Sequence, residues 1–285
     1  MVLAAAVLLA ACGGGERRQV IQNKGSDTLV NVAQAWAEEY QTVDQSVVVA
    51  VSGGGSGTGI AALINGTVDL ANASRAMKQK EIDLAKSSGQ NPIQHIVGYD
   101  ALAVFVHQDN PIGPMSLALL AEIYGDGSTI SKWTDLGIEV PGCQGQEMVL
   151  VSRQNNSGTY SYFRSAVLGK EREFRLGTRD MHGSKDVVDL VEKTPCAIGY
   201  SGLAYATDHI KMACISSAEG APCVEPTVAS ASDRSYPIAR PLFMYTNGEP
   251  AGHIKAYLDW ILSDTGQCII LEKGYAPARG VSCGG

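Results

Sequence analysis

The sequence predicts an α/β chain folded as two parallel-sheet lobes with a cleft between them. Short apolar runs alternate with segments of helical period, the pattern of parallel strands covered by helices. Two strongly apolar runs, residues 101–107 and 240–246, stand far apart in the chain and suit strands that cross between lobes. Three Ser/Thr/Gly loops immediately precede helices, at the strand ends where such sheets receive ligands.

In order, residues 20–23 read as a short strand and 25–27 as a turn. A helix over 28–40 follows, with Leu29, Val32, Ala33 and Trp36 at helical spacing. Residues 47–51 are an uninterrupted apolar strand, 52–59 a Gly/Ser loop, and 60–64 the start of a second helix. A third strand at 69–73 and a helix at 79–87 lead to the first crossing, which ends at the turn signal Asp109-Asn110-Pro111. The second lobe then holds helices at 117–124, 158–168 and 185–193 and strands at 148–152 and 197–200. A polar stretch at 216–235 precedes the return crossing, and helices at 252–262 and 265–273 complete the first lobe. The expected division is residues 20–102 plus 238–285 for lobe 1 and 103–237 for lobe 2.

With 285 residues the chain can fill two domains, and 45% hydrophobic content against 18% charged places it among globular chains. A net charge of -7 disfavours nucleic acid and anionic membrane surfaces as partners, since both repel an acidic protein. An anionic ligand has to be held by local geometry against that sign.

Residues 2–11 form an apolar run too short to span a bilayer but suited to a signal peptide. The box Leu9-Ala10-Ala11-Cys12 resembles that of bacterial lipoprotein signals. The resemblance implies that residues 1–12 are a signal with Cys12 lipidated, 13–19 a flexible tether, and the chain a membrane-tethered lipoprotein of the periplasm or cell surface. Six further cysteines, an even number, suit disulfides in an exported chain. Of the fifteen pairings available, Cys214 with Cys223 and Cys268 with Cys283 are preferred from proximity, which leaves Cys143 with Cys196. A zinc site is the weaker alternative: no C-x-x-C occurs and the histidines lack H-x-x-x-H spacing. No metal or cofactor is expected.

The chemistry lies in the loops Gly25-Ser26-Asp27-Thr28, Gly53-Gly54-Gly55-Ser56-Gly57-Thr58-Gly59 and Asn155-Asn156-Ser157-Gly158-Thr159. A helix N-terminus presents unpaired N–H groups and partial positive charge, so three converging ends make an anion cradle in an acidic protein. Any one of these loops reads more simply as a Ser/Thr N-cap; their co-occurrence favours a site. Arg153, at the end of a strand and four residues before Ser157, matches a tetrahedral oxyanion with its planar fork. Arg75 follows the third strand and is a secondary candidate, with an ion pair at the lobe edge as its alternative role.

The segment Ser152-Arg153-Gln154-Asn155-Asn156-Ser157-Gly158-Thr159 is similar to the signature of phosphate-binding proteins of the ABC phosphate transporter. The glycine loop at 53–59, Val68 to Arg75, Ile198-Gly199-Tyr200 and Tyr236 to Leu242 resemble that family's other landmarks in the same order. The resemblance spans nearly the whole chain after Cys12. It implies a type II periplasmic-binding-protein-like fold, a monomer, and a role in binding inorganic phosphate and delivering it to the transporter's membrane permease. It places phosphate contacts on Thr28, Leu29 (through its backbone N–H), Ser56, Arg153, Ser157, Gly158 and Thr159. Some family members carry a cleft aspartate where this chain has Ser74, so Ser74 joins the site with weaker discrimination against sulfate, arsenate or molybdate. Ser26 and Asp27 are secondary candidates, Asp27 as a substitute acceptor or a helix N-cap.

Two enzyme classes fit less well. A phosphoryl-transfer enzyme lacks G-x-x-x-x-G-K-[ST] and a metal-ligand cluster here. A serine hydrolase lacks the last glycine of G-x-S-x-G at Thr58 and a paired histidine. A sensor or adhesin role would share the pocket and leaves the sequence unchanged.

Overall fold

The computed structural model describes residues 18–284. The proposed signal with Cys12, and most of the tether, lie outside the described residues. Two lobes share one curled sheet whose strands lie in the order β2 (Val47–Ser52), β1 (Gln19–Gly25), β3 (Leu70–Ala73), β11 (Ala239–Asn247), β4 (Pro92–His107), β8 (Ala197–Gly202), β6 (Val149–Arg153) and β7 (Arg179–Met181). β9 (Ile210–Ala213) and β12 (Ala276–Pro277) also pair with β4, and β5 (Met115–Ser116) pairs with β10 (Ile215–Ser216) apart from it.

In the first lobe, β1 (Gln19–Gly25) pairs in parallel with β2 (Val47–Ser52) and with β3 (Leu70–Ala73). Between these strands run α1 (Val30–Val43) and α2 (Ser56–Ile64), and α3 (Gln79–Ser87) follows β3. α1 starts two residues later than its apolar spacing predicts, because Asp27–Leu29 form a 3₁₀ turn that leads the chain from β1 into the helix. Val32, Ala33, Trp36 and Tyr40 are its buried face. Trp36 is fully buried, and its indole N–H donates to Gly266 O at 2.7 Å, satisfying the one polar atom such a ring must place.

The lobes are joined by β4 (Pro92–His107) and β11 (Ala239–Asn247), which pair with each other along the first lobe. β4 then changes partners: up to Ala101 it pairs with β11, and from Leu102 to Val106 it pairs with β8 (Ala197–Gly202). Residues Ala101 to Val106 are wholly buried, which explains a run without polar alternation. These crossings depart from the all-parallel expectation. β4 leaves the first lobe and β11 returns to it, so as neighbours they run antiparallel; β11 also opposes β3, and β4 opposes β8.

The second lobe keeps parallel pairing between β6 (Val149–Arg153), β7 (Arg179–Met181) and β8. α4 (Leu117–Tyr124), α5 (Gly158–Phe163) and α6 (Ser184–Glu192) cover it, and α5 runs on through a π-helical turn, Arg164–Leu168. Under the end of β6, Phe163 stacks on Tyr200 with centroids 3.8 Å apart, and the Tyr200 hydroxyl bonds Ser152 Oγ at 2.6 Å. That packing fixes the backbone one residue before Arg153. The short α7 (Val228–Ser232) precedes β11, and the first lobe closes with α8 (Gly252–Ile261) and α9 (Asp264–Glu272). Disulfides join Cys214–Cys223 and Cys268–Cys283, the two pairs preferred from proximity, and Cys143–Cys196, the pair those two leave.

Candidate functional site

The ends of β1, β3 and β6 and the starts of α2 and α5 meet where the two lobes touch. Ser26, Thr28, Ser56, Ser74, Arg153, Ser157 and Thr159 are each no more than 3% exposed there. Polar groups this deep need partners. Thr28, Thr159 and Arg153 find theirs across the lobe boundary.

Ser26 Oγ lies 3.0 Å from Ser74 Oγ, and Ser56 Oγ lies 3.3 Å from the same atom while accepting from the Ser74 N–H at 3.0 Å. Thr28 Oγ1 of the first lobe and Thr159 Oγ1 of the second are 3.0 Å apart. Ser157 is the N-cap of α5, its Oγ accepting from the N–H groups of Thr159 and Tyr160 at 3.1 and 3.4 Å. The simple capping role is therefore real for Ser157, and its hydroxyl proton is still free to be donated. The Leu29 amide donates to Ser26 O at 3.1 Å, and the Leu29 side chain lies in the core.

Gly158 shows how closely the lobes approach. A Cβ at this position would lie 2.2 Å from Ser56 Oγ and 2.5 Å from Ser74 Oγ, so a glycine alone lets α5 begin against the first lobe's hydroxyls. A second contact flanks it. The Asn156 carbonyl accepts from the Gly57 N–H at 2.9 Å, and the Asn156 amide donates to Gly54 O at 2.9 Å.

Arg153 is held from both lobes. Its Nη1 donates to Ser184 Oγ at 2.8 Å, and its Nη2 donates to His182 O at 2.8 Å and to Asp27 Oδ2 at 3.2 Å. Its buried Nε has no protein acceptor. Burial holds the guanidinium's pKa below its usual range, against the opposing pull of Asp27. The same Asp27 oxygen accepts from the Ser184 N–H at 2.6 Å, so Asp27 bridges to the second lobe rather than capping its own helix. Arg75 is turned into its own lobe, where Nη1 and Nη2 grip Glu81 at 2.8 and 2.7 Å.

Sequence reasoning passed over Asp100 and Arg240. They face each other as cross-strand partners on β4 and β11, wholly buried, with Arg240 Nη2 2.7 Å from Asp100 Oδ2. Arg240 also donates to Thr159 Oγ1 at 3.1 Å. The signal was present: one carboxylate and one guanidinium interrupt otherwise apolar crossing strands, and a charge there needs a buried counter-charge. Burial pushes the Asp100 carboxyl above the ordinary carboxylate range, and Arg240 pulls it back.

Each guanidinium is thus already matched by a carboxylate. What the cleft offers an incoming group is hydroxyl and N–H donors, two helix starts and the edge of Arg153, a set suited to an acceptor-rich anion. A surface groove around Ser116, Leu119 and Glu219 on the second lobe lies away from this cleft. Among the described residues there is no cluster of His, Cys, Asp and Glu able to hold a metal, and no helix long and apolar enough to cross a membrane.

Known proteins carry the same architecture. Residues 13–265 match the PBP superfamily domain. The phosphate-binding protein PstS of Pseudomonas aeruginosa is 35% identical over 268 residues, covering 90% of this chain and 82% of the relative. A Clostridium perfringens protein assigned as the substrate-binding protein of a phosphate ABC transporter, solved with phosphate bound, superposes with a TM-score of 0.80 at 27% identity, covering 92% of this chain and all of that one. An ABC-type phosphate transport receptor from Vibrio cholerae shares the fold with a TM-score of 0.71 at 24% identity. Two parallel half-sheets joined by antiparallel crossings, a hydroxyl-lined cleft and this extent of matching place the chain in the PBP superfamily, in the family of PstS phosphate-binding proteins.

Proposed function

We propose that this chain binds inorganic phosphate outside the cytoplasm by closing its lobes around the ion, and delivers it to an ABC transporter permease. The observation that carries this reading is the hydroxyl cluster assembled from both lobes and packed on Gly158, with Arg153 beside it. Thr28, Leu29, Ser26, Ser56 and Ser74 supply the first lobe's side of the site, and Arg153, Ser157, Gly158 and Thr159 the second's. An anion placed between them earns contacts from both halves only when they are together, so binding shifts the population toward closure. Charge-assisted hydrogen bonds contribute about 1.5–3 kcal/mol each. Several of them, less desolvation and closure, give about micromolar affinity or tighter.

The protein acts as a carrier without catalysis, as a monomer tethered through lipid on Cys12. Asp27 serves Arg153 rather than the ligand's proton, and Ser74 repels a fully ionised oxyanion less than a carboxylate would. Sulfate is therefore the informative competitor. Titration calorimetry on the purified protein should give strong heats with phosphate and weaker, saturable binding of sulfate. Absence of phosphate binding at millimolar concentration would sink the reading. Tight binding of sulfate or molybdate with weak phosphate binding would reassign the ligand.

A further inference from the structure

Arg240 has more donors than its ion pair uses. Its Nε and Nη2 both address one oxygen, Asp100 Oδ2, at 3.0 and 2.7 Å. The rest reach both lobes. Nη1 donates to Ser74 O at 3.3 Å and to Thr159 Oγ1 at 3.1 Å, and Nη2 makes a longer 3.5 Å contact with Thr28 Oγ1. The ring of Tyr162, from the second lobe, lies 5.7 Å from the guanidinium carbon. A wholly buried side chain on a crossing strand is therefore gripped from both lobes at once.

The hydroxyl protons follow from this. Each threonine hydroxyl has one proton and two lone pairs. Thr28 Oγ1 and Thr159 Oγ1 both receive a guanidinium N–H and lie 3.0 Å apart. One of them donates to the other. The second proton has no acceptor among the described residues, since neither hydroxyl has a further partner. We infer that Arg240 is a positioning residue for the anion site: by donating to Thr28 and Thr159 it leaves one hydroxyl proton of the pair to be donated toward the ligand. Because Thr159 belongs to the second lobe, the arrangement exists only when the lobes are closed. It requires the ligand to turn an oxygen lone pair, rather than an O–H, toward this threonine pair. A lysine at 240 can pair with Asp100 but has no fork with which to span both threonines. The inference rests on the phosphate reading above.

The test is a double-variant cycle read by titration calorimetry with inorganic phosphate, using the wild type, Arg240→Lys, Thr159→Val and both together. Each single change should raise Kd by about tenfold, and the double variant should bind within about twofold of Thr159→Val, because Arg240 acts through a hydroxyl already removed. Additive losses, or an Arg240→Lys protein that binds like the wild type, would overturn the inference. Should Arg240→Lys unfold, the neutral pair Asp100→Asn with Arg240→Gln keeps a buried hydrogen bond without charge. That pair should lose affinity by about tenfold and show the same coupling to Thr159→Val, and wild-type affinity in it overturns the inference. The cycle is repeated with sulfate. A wild type that binds sulfate and not phosphate removes the phosphate reading, while the coupling in the sulfate cycle still decides the role of Arg240.

Discussion

Arg75 follows β3 and Arg153 ends β6, so each stands at the carboxyl end of a strand at the edge of the cleft. Both are nearly buried, and both leave Nε without a protein acceptor. Their terminal nitrogens differ. Arg75 is held by Glu81, six residues on in the first turn of α3, where the same carboxylate also accepts from the Lys78 N–H at 2.8 Å. That pair is local and keeps its geometry whether the lobes are open or closed. Arg153 takes Asp27 from the opposite lobe, and its charge is close enough to be felt against that of Arg240. Position at a strand end brings an arginine to the cleft. The source of its counter-charge decides whether it serves the fold or the site.

The largest effect should separate these two side chains. Arg153→Met is expected to weaken phosphate binding by about a hundredfold, the loss of a charge-assisted donor set, whereas Arg75→Met should change it by less than about threefold. Equal losses in calorimetry would erase the distinction. Next comes Gly158→Ala, which places a methyl group on Ser56 and Ser74. It should raise Kd by about tenfold with little change in thermal unfolding, because the clash exists only in the closed form. Unaltered binding would mean that the lobes do not meet here.

Asn156→Ala removes a side-chain clasp between lobes at the Gly54 carbonyl and should speed phosphate release by about threefold in stopped-flow, with a smaller effect on association. The smallest effect concerns Glu81. Burial raises its pKa, but Arg75 and the Lys78 N–H more than offset this and hold it below the ordinary carboxylate range. A carboxylate depressed on folding contributes stability above its unfolded pKa, and that contribution is lost as pH falls through the folded value. Glu81→Gln should therefore flatten the acid side of the stability curve and leave phosphate affinity unchanged. Weakened phosphate binding in that variant would return Arg75 to the site.

Much of the fold was readable because burial writes itself into apolar spacing. The strand–loop–helix order of β1, β2 and β3 and the helices of the second lobe follow directly from that spacing, as do two of the cysteine pairs from their proximity and the third by elimination. The sense of the crossing strands was not readable. An apolar run such as Ala101 to Val106 reports burial on both faces and says nothing of which neighbour it pairs with or in which direction. The first part of β4, from Pro92, alternates exposed and half-buried residues and gave no strong signal.

At the site, the glycine and hydroxyl loops were legible because helix N-termini have a compositional signature. What was not legible is which hydroxyls meet. Thr28 and Thr159 are 131 positions apart, and Asp27 finds Arg153 across 126. Asp100 and Arg240, 140 positions apart, were visible only as charges out of place in apolar strands.

The account depends on the two lobes presenting their hydroxyls and Arg153 to one point, and a crystal structure of the protein with phosphate tests that directly. The account predicts the ion between Ser56, Thr28 and the start of α5, within hydrogen-bond reach of Arg153 and with Arg240 still bonded to Thr159. Phosphate bound elsewhere, or a closed cleft with Arg153 turned out to solvent, would contradict it.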